Sequence, residues 1–207
     1  MSQSSSPTVL TVGHSTHSYE HFLGLLRQAR VTAVADVRSS PFSRRFPHFS
    51  RDELKASLRR DGIAYSFLGK ELGGRPNESR LFRNGVADYE AMATTKEFER
   101  GVDRVLEGAG KYRLVLMCSE RHPLDCHRCL LVGRALSRRC VAVEHILPDG
   151  SVATQSDIED SLLKLAASDH EDLFAPRDER LDAAYRERAR KVAYVEPAQH
   201  EAVGERV

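Results

Sequence analysis

Apolar positions alternate along this chain between two rhythms. Short aliphatic and β-branched runs at Val9-Leu10-Thr11-Val12, Thr32 to Val37, Ile63 to Leu68, Tyr112 to Met117 and Val141 to Ile146 read as strands, Thr32 to Val37 as a buried one. Between them the apolar residues space out to a helical period. Phe22, Leu25, Leu26 and Ala29 lie on one side of a helix over Tyr19 to Ala29, and Leu130, Leu131, Gly133 and Leu136 do the same over Cys126 to Arg138. Ser50-Arg51-Asp52-Glu53 has the form of a capping box, opening a helix that runs to Asp61 and stops at Gly62. Gly69 to Val86 is irregular, Asp88 to Leu106 reads as one helix, Pro148-Asp149-Gly150 as a turn, and Ile158 to Ala167 as a last helix of the domain.

Strand and helix alternating in this way predict an α/β fold, with a mainly parallel, doubly wound sheet and helices on both faces. The predicted domain covers residues 8–167. From Ser168 to 207 the composition turns to Arg, Glu and Asp. Only Leu181, Tyr185, Ala189 and Val192 make a thin apolar stripe there, which predicts a charged C-terminal helical arm with a disordered tail.

Composition narrows the class of function. The 207 residues carry a formal net charge of +1, so affinity for nucleic acid needs a local basic patch. The serine-rich start has neither a basic region nor an apolar core, so no secretory signal is read. No apolar run spans a bilayer. The expectation is a cytoplasmic protein without membrane contact, whose four cysteines are thiols rather than a disulfide framework.

Polar chemistry gathers after the strands. Loops at the carboxyl ends of parallel strands share one edge of the sheet, where ligands bind, so these segments are expected to converge on one cleft. Gly13-His14-Ser15-Thr16 offers His14 for proton transfer. The plain reading is a tight turn at Gly13 with Ser15, Thr16 or Ser18 capping the helix that follows. Asp36 and Arg38 stand two residues apart at a strand end and read either as an ion pair or as part of an anion site with Ser39, Ser40 and Arg44. Phe42, Phe46 and Phe49 interleave with those donors, which suits base stacking. Gly73-Gly74 follows the third strand as a close-approach site.

The cysteine segment carries the sharpest signal. Cys118 ends an apolar strand, and Cys126 is predicted where a helix begins, beside His127 and Arg128. A helix start and neighbouring cations favour a thiolate nucleophile. Cys126 or Cys118 is the candidate nucleophile, His14 and His127 the proton carriers, and Glu120 an orienting group. Arg38, Ser39, Ser40, Arg44, Arg128, Gly73 and Gly74 are the candidate substrate contacts. Cys126-x-x-Cys129 also admits a dithiol or, with Cys118, a small metal site, although C-x7-C-x2-C is not a standard zinc spacing. Simple packing of small residues at the strand–helix corner is the plain alternative. Cys140 begins a strand and reads as core.

Taken together, Val12-Gly13-His14-Ser15, Asp36-Val37-Arg38-Ser39-Ser40-Pro41, Gly62-Ile63-Ala64-Tyr65 with Leu72-Gly73-Gly74, and Leu116-Met117-Cys118 with Cys126-His127-Arg128 resemble the bacterial and archaeal family called domain of unknown function 488. The resemblance runs from about residue 8 to 147. It implies a cytoplasmic α/β domain with a polar site containing Cys118, Cys126, His127 and Arg128, and names no substrate. The leading expectation is an enzyme acting on a small anionic ligand, a nucleotide or a nucleic-acid-derived compound, with no cofactor assigned. Behind it stands a non-catalytic nucleic-acid or nucleotide binding module built on loop 38–51.

Overall fold

The computed structural model describes residues 7–167 and 175–197. Eight strands form: β1 (Thr8–Gly13), β2 (Ala33–Asp36), β3 (Ala64–Phe67), β4 (Phe82–Arg83), β5 (Val86–Ala87), β6 (Leu114–Cys118), β7 (Ala142–Ile146) and β8 (Val152–Thr154). The helices are α1 (Tyr19–Gln28), α2 (Arg51–Arg60), α3 (Gly69–Leu72), α4 (Tyr89–Ala93), α5 (Lys96–Ala109), α6 (Arg134–Arg138), α7 (Gln155–Ala167) and α8 (Arg177–Val192). The main sheet has the order β3-β2-β6-β1-β7-β8. Its first five strands are parallel, and β8 runs antiparallel to β7 on the edge. The fold is therefore α/β and doubly wound, with a mainly parallel sheet.

Strand alternation builds two cores. Leu10, Val12, Val34, Val115 and Met117 face Phe22 and Leu26 of α1 and Leu54 and Leu58 of α2. Val9, Ala35, Leu116 and Val143 face the other way, onto Val102 and Val105 of α5, Leu130, Leu136, and Ile158 and Leu162 of α7. The chain winds from β1 to β2 and β3 and then returns, so that β6 inserts between β1 and β2. That reversal leaves a crevice at the carboxyl ends of β1, β6 and β2.

Several local expectations change. The helix expected over Asp88 to Leu106 is two helices. Thr95 separates them, accepting from the Phe98 N–H at 3.1 Å and donating to the Met92 carbonyl at 2.9 Å. Ser50 precedes α2, but its hydroxyl does not cap the helix; it accepts from the Ser43 N–H and donates to the Ser43 carbonyl, closing the preceding loop. The stretch expected to be irregular contains α3 and the β4–β5 hairpin. The helix expected from Cys126 opens later, with a wide π turn over Arg128–Gly133, and Cys126 itself is extended. The sheet gains β8 beyond the expected last strand.

Tyr185 and Ala184 of α8 are buried against the domain. The Tyr185 hydroxyl accepts from Gln155 Nε2 at 2.5 Å and donates to Glu159 at 3.0 Å. Arg134 stacks over its ring and pairs with Asp182 at 2.6 Å. Beyond α8, the Tyr194 carbonyl accepts from the Ala87 N–H and the Glu196 N–H donates to Gly85, laying the chain along the β4–β5 hairpin. Residues 168–174 and 198–207, and with them the expected disordered tail, lie outside the described residues. Among the described residues no helix is long and apolar enough to cross a membrane.

Candidate functional site

The strand ends are locked together residue by residue. Gly13 lies opposite Cys118 in the register. His14 N–H donates to the Cys118 carbonyl at 2.9 Å, Ser15 N–H to Ser119 at 2.9 Å, and Val37 N–H to Met117 at 3.0 Å. A Cβ at Gly13 would collide with the Glu120 carbonyl, so only glycine lets the loop after β6 cross the end of β1.

Above this edge opens a polar cavity of about 500 Å³. Its floor is Cys118, Cys126 and His127. Its rim on the β2 side is Arg38, Ser39 and Ser40, and Gly74 and Arg75 follow from the segment after α3. Glu120 and Asp125 stand on the loop side, and Tyr89, Val192 and Tyr194 complete the wall.

The floor is a sulfur–imidazole cluster. His127 Nε2 donates to the Val37 carbonyl at 2.8 Å, which leaves Nδ1 facing the sulfurs. Nδ1 lies 3.6 Å from Cys118 Sγ and 3.8 Å from Cys126 Sγ. The Arg128 N–H donates to Cys126 Sγ at 3.4 Å. Burial opposes ionisation of Cys126, but the Cys118 thiol donating to it and the charges of Arg128 and His127 outweigh burial and carry its pKa well below the usual thiol range. Cys118, donating to that sulfur and buried, is held well above it. Partial burial, then the negative Cys126, raise the Glu120 carboxyl.

The structure brings Cys118, Cys126, His127, Glu120, Arg38, Ser39, Ser40 and Gly74 to one cavity. It places four other candidates elsewhere. His14 is one residue past Gly13, so its ring turns to the face opposite Cys118. It stacks on the buried Phe49 at 4.2 Å, with Nδ1 donating to the Ser15 carbonyl and Nε2 accepting from Arg38 Nη1 at 3.2 Å. Arg128 is fully buried, its guanidinium donating to the Glu120 carbonyl at 2.5 Å and the Arg121 carbonyl at 3.1 Å. It anchors the loop that frames the cavity and does not line it. Arg44 is exposed on the loop after β2, away from the lining residues. Gly73 packs its backbone against Ser39 Oγ, where a Cβ would clash.

Arg38 is held in an ion pair. Asp36, fully buried, accepts from Arg38 Nε at 2.9 Å and Nη2 at 2.6 Å, from its N–H at 3.1 Å, and from the Tyr65 hydroxyl at 2.7 Å. Of the loop phenylalanines, Phe49 belongs to the core, Phe46 is partly buried and Phe42 is 69% exposed, which leaves no row of rings for stacking bases. Ser18, among the three helix caps weighed, is the N-cap of α1. Cys129 does not join the other cysteines. Because Cys126 is extended, the next helical turn points Cys129 into the core, 3.9 Å from Gln155 Nε2, and burial pushes its pKa up to about 12. Cys140, expected in the core, is exposed. All four cysteines are free.

Sequence reasoning missed Arg75, Tyr89, Val192 and Tyr194. Arg75 directly follows Gly73-Gly74, its N–H donates to Ser39 Oγ at 3.0 Å, and its guanidinium stacks over Tyr194 at 4.9 Å. Arg188 of α8 donates to the Leu124 carbonyl at 3.0 Å and pairs with Asp125. The C-terminal arm thus forms part of the cavity wall and holds the loop before Cys126.

Comparison with curated proteins and with solved structures gave no match. A family model matches residues 18–135, more than half of the chain and including Arg38, Gly74, Cys118, Cys126 and His127. His14 and α8 fall outside the matched span. By that match the chain belongs to the family described as Domain of unknown function DUF488.

Proposed function

We propose that this chain is an enzyme that takes a small anionic substrate, a nucleotide or nucleic-acid-derived compound, into the cavity at the carboxyl edge of its sheet. The sulfur–imidazole cluster of Cys118, Cys126 and His127 is the reactive centre. One observation carries the reading: a single cavity of about 500 Å³ joins that buried cluster to a rim of Arg38, Arg75, Ser39 and Ser40. A guanidinium on a cavity wall binds phosphate or carboxylate through paired N–H groups. Arg75 is the arginine exposed for this work, since Arg38 already answers Asp36. Sulfur and imidazole at the floor supply the nucleophilic, proton-handling or metal-binding chemistry that a mere anion site does not require.

Calorimetric titration of a nucleoside, its monophosphate and its triphosphate tests the anion site. The phosphates bind more tightly, and Arg75→Ala loses a charge-assisted bond of about 1.5–3 kcal/mol, a roughly 10- to 100-fold weakening. Equal affinity for nucleoside and nucleotide overturns it. Turnover of the bound class that vanishes in Cys126→Ser while affinity persists separates an enzyme from a binding module.

A further inference from the structure

The Cys118, Cys126 and His127 cluster has a geometry that simple packing does not require. The three donor atoms lie within 4.8 Å of one another and are buried. A zinc-class ion takes thiolate at about 2.3 Å and imidazole at about 2.0–2.1 Å in tetrahedral sites, which sets each sulfur–nitrogen edge at about 3.6 Å. The observed edges from His127 Nδ1 are 3.6 Å to Cys118 and 3.8 Å to Cys126. Both sulfur–nitrogen edges thus already stand at ligand spacing.

The surroundings also match. A metal-bound histidine characteristically donates its other ring N–H to a carbonyl or carboxylate, which fixes the tautomer and aims the free nitrogen. His127 does this through Nε2 to the Val37 carbonyl at 2.8 Å, and the N–H of Arg128 reaches Cys126 Sγ at 3.4 Å. The ring of His127 rests against Gly74, which cannot carry a side chain there.

We propose that Cys118 Sγ, Cys126 Sγ and His127 Nδ1 bind one zinc-class divalent ion, with the fourth coordination position turned to the cavity. Three protein ligands and an open position are the pattern of catalytic rather than structural zinc. Two thiolates and an imidazole suit a borderline-soft ion over magnesium or calcium. Cys129, on the far side of the helix start, is not a ligand. The proposal rests on the proposed function only for the cavity that the open position faces. In the loaded protein the two cysteines are ligands, and the ion supplies the Lewis acid beside the anion rim.

The test uses the full-length chain, kept reduced and given one equivalent of Zn²⁺ or Co²⁺. After desalting, the wild type retains about one equivalent by elemental analysis. The cobalt form shows thiolate-to-cobalt charge transfer with tetrahedral d–d bands. Bound ion protects Cys118 and Cys126 from alkylation and leaves Cys140 reactive. Cys118→Ser, Cys126→Ser and His127→Gln each weaken binding at least roughly tenfold, the low end for losing even an outer partner of a metal site. Cys129→Ser and Cys140→Ser do not. A reduced wild type that retains no metal and shows no charge-transfer band overturns the site, as does a Cys129→Ser variant that loses as much as Cys126→Ser. Nucleotide titration of metal-free protein keeps the two readings apart. Preference for nucleotide without metal binding sinks the metal site alone, and metal binding without that preference sinks the anion rim alone.

Discussion

Gly74 lies so close to the imidazole of His127 that a Cβ at position 74 would sit 2.8 Å from Cγ and 2.9 Å from Nδ1. The ring cannot retreat without losing its 2.8 Å bond to the Val37 carbonyl. Position 74 is therefore the cheapest place to disturb the cluster without touching a ligand. Gly74→Ala is expected to cost about 1–3 kcal/mol through overpacking, read by urea unfolding. It should also weaken cobalt binding roughly 10- to 100-fold, as displaced outer partners do. An unchanged urea midpoint with unchanged cobalt affinity would show that the ring has more room than this contact implies.

Arg38 and Asp36 form a pair with 4% and 0% side-chain exposure at 2.6 Å. Removing one partner leaves the other charged and buried, which costs about 3–5 kcal/mol. Arg38→Ala should therefore destabilise strongly, by urea midpoint, whatever it does to anion binding. The double variant Asp36→Asn/Arg38→Met should recover much of that loss, because no lone charge remains. If the two single losses simply add in the double variant, the pair is not coupled.

The strands and helices were legible because each period is local. Two apolar faces around Leu10 and Val9 need nothing beyond alternation along the strand. Parallel order brings the loops after β1, β2 and β6 to one edge, but it does not bring all their side chains to one cavity: Arg38 and Cys118 line it, and His14 and Arg128 do not. The fate of individual side chains depended on geometry that no spacing carries. His14 turns away from Cys118 because Gly13, not His14, is the residue in register with it. Arg128 reads as a substrate contact beside Cys126, yet the loop it anchors needs its guanidinium for two carbonyls. Helical spacing would put Cys126 and Cys129 on one side, but Cys126 is extended. His127 then replaces Cys129 beside the other two sulfurs. The apolar stripe of α8 was visible in Tyr185 and Val192, but its docking site against Gln155 and the cavity wall belongs to distant sequence.

Stability should fall on mild acidification, and two histidines carry the sign. Burial, and for His14 the neighbouring Arg38, lower the pKa of His14 to about 4. Burial lowers His145, which bonds Thr11 and Gln155, to about 4 as well. Both are free to protonate near 6.5 in the unfolded chain, so between pH 6.5 and 4 the unfolded state binds more protons. Their stabilisation is present above pH 6.5 and lost as pH falls toward 4. At 1.36 kcal/mol per pH unit the loss is of order 3 kcal/mol for each, with no further contribution below pH 4. Urea midpoints across this window should drop less steeply in His14→Gln. A wild-type profile flat from pH 7 to 4 contradicts the burial of both rings.

Three helices end in the same way, which makes an internally controlled test of backbone strain. After α1, α2 and α6 the residues Arg30, Gly62 and Cys140 take positive φ of 55°, 75° and 59°. In each case that residue's N–H returns to the carbonyl three back, at Arg27, Arg59 and Ser137. The next residue's N–H returns five back, from Val31 to Leu26, Ile63 to Leu58 and Val141 to Leu136. This is the Schellman arrangement, and each closing apolar pair is buried. Glycine fits the left-handed residue, whereas a side chain there costs about 1–2 kcal/mol, partly offset because glycine loses more freedom on folding. Arg30→Gly and Cys140→Gly should each stabilise the chain by about 1 kcal/mol, and Gly62→Ala should destabilise it by about the same. Cys140→Gly also removes the exposed thiol, leaving the cluster at Cys118 and Cys126 untouched. Urea unfolding of the three variants side by side decides the matter: a Cys140→Gly loss larger than the Gly62→Ala loss would mean that the cysteine side chain makes contacts worth more than the strain it imposes.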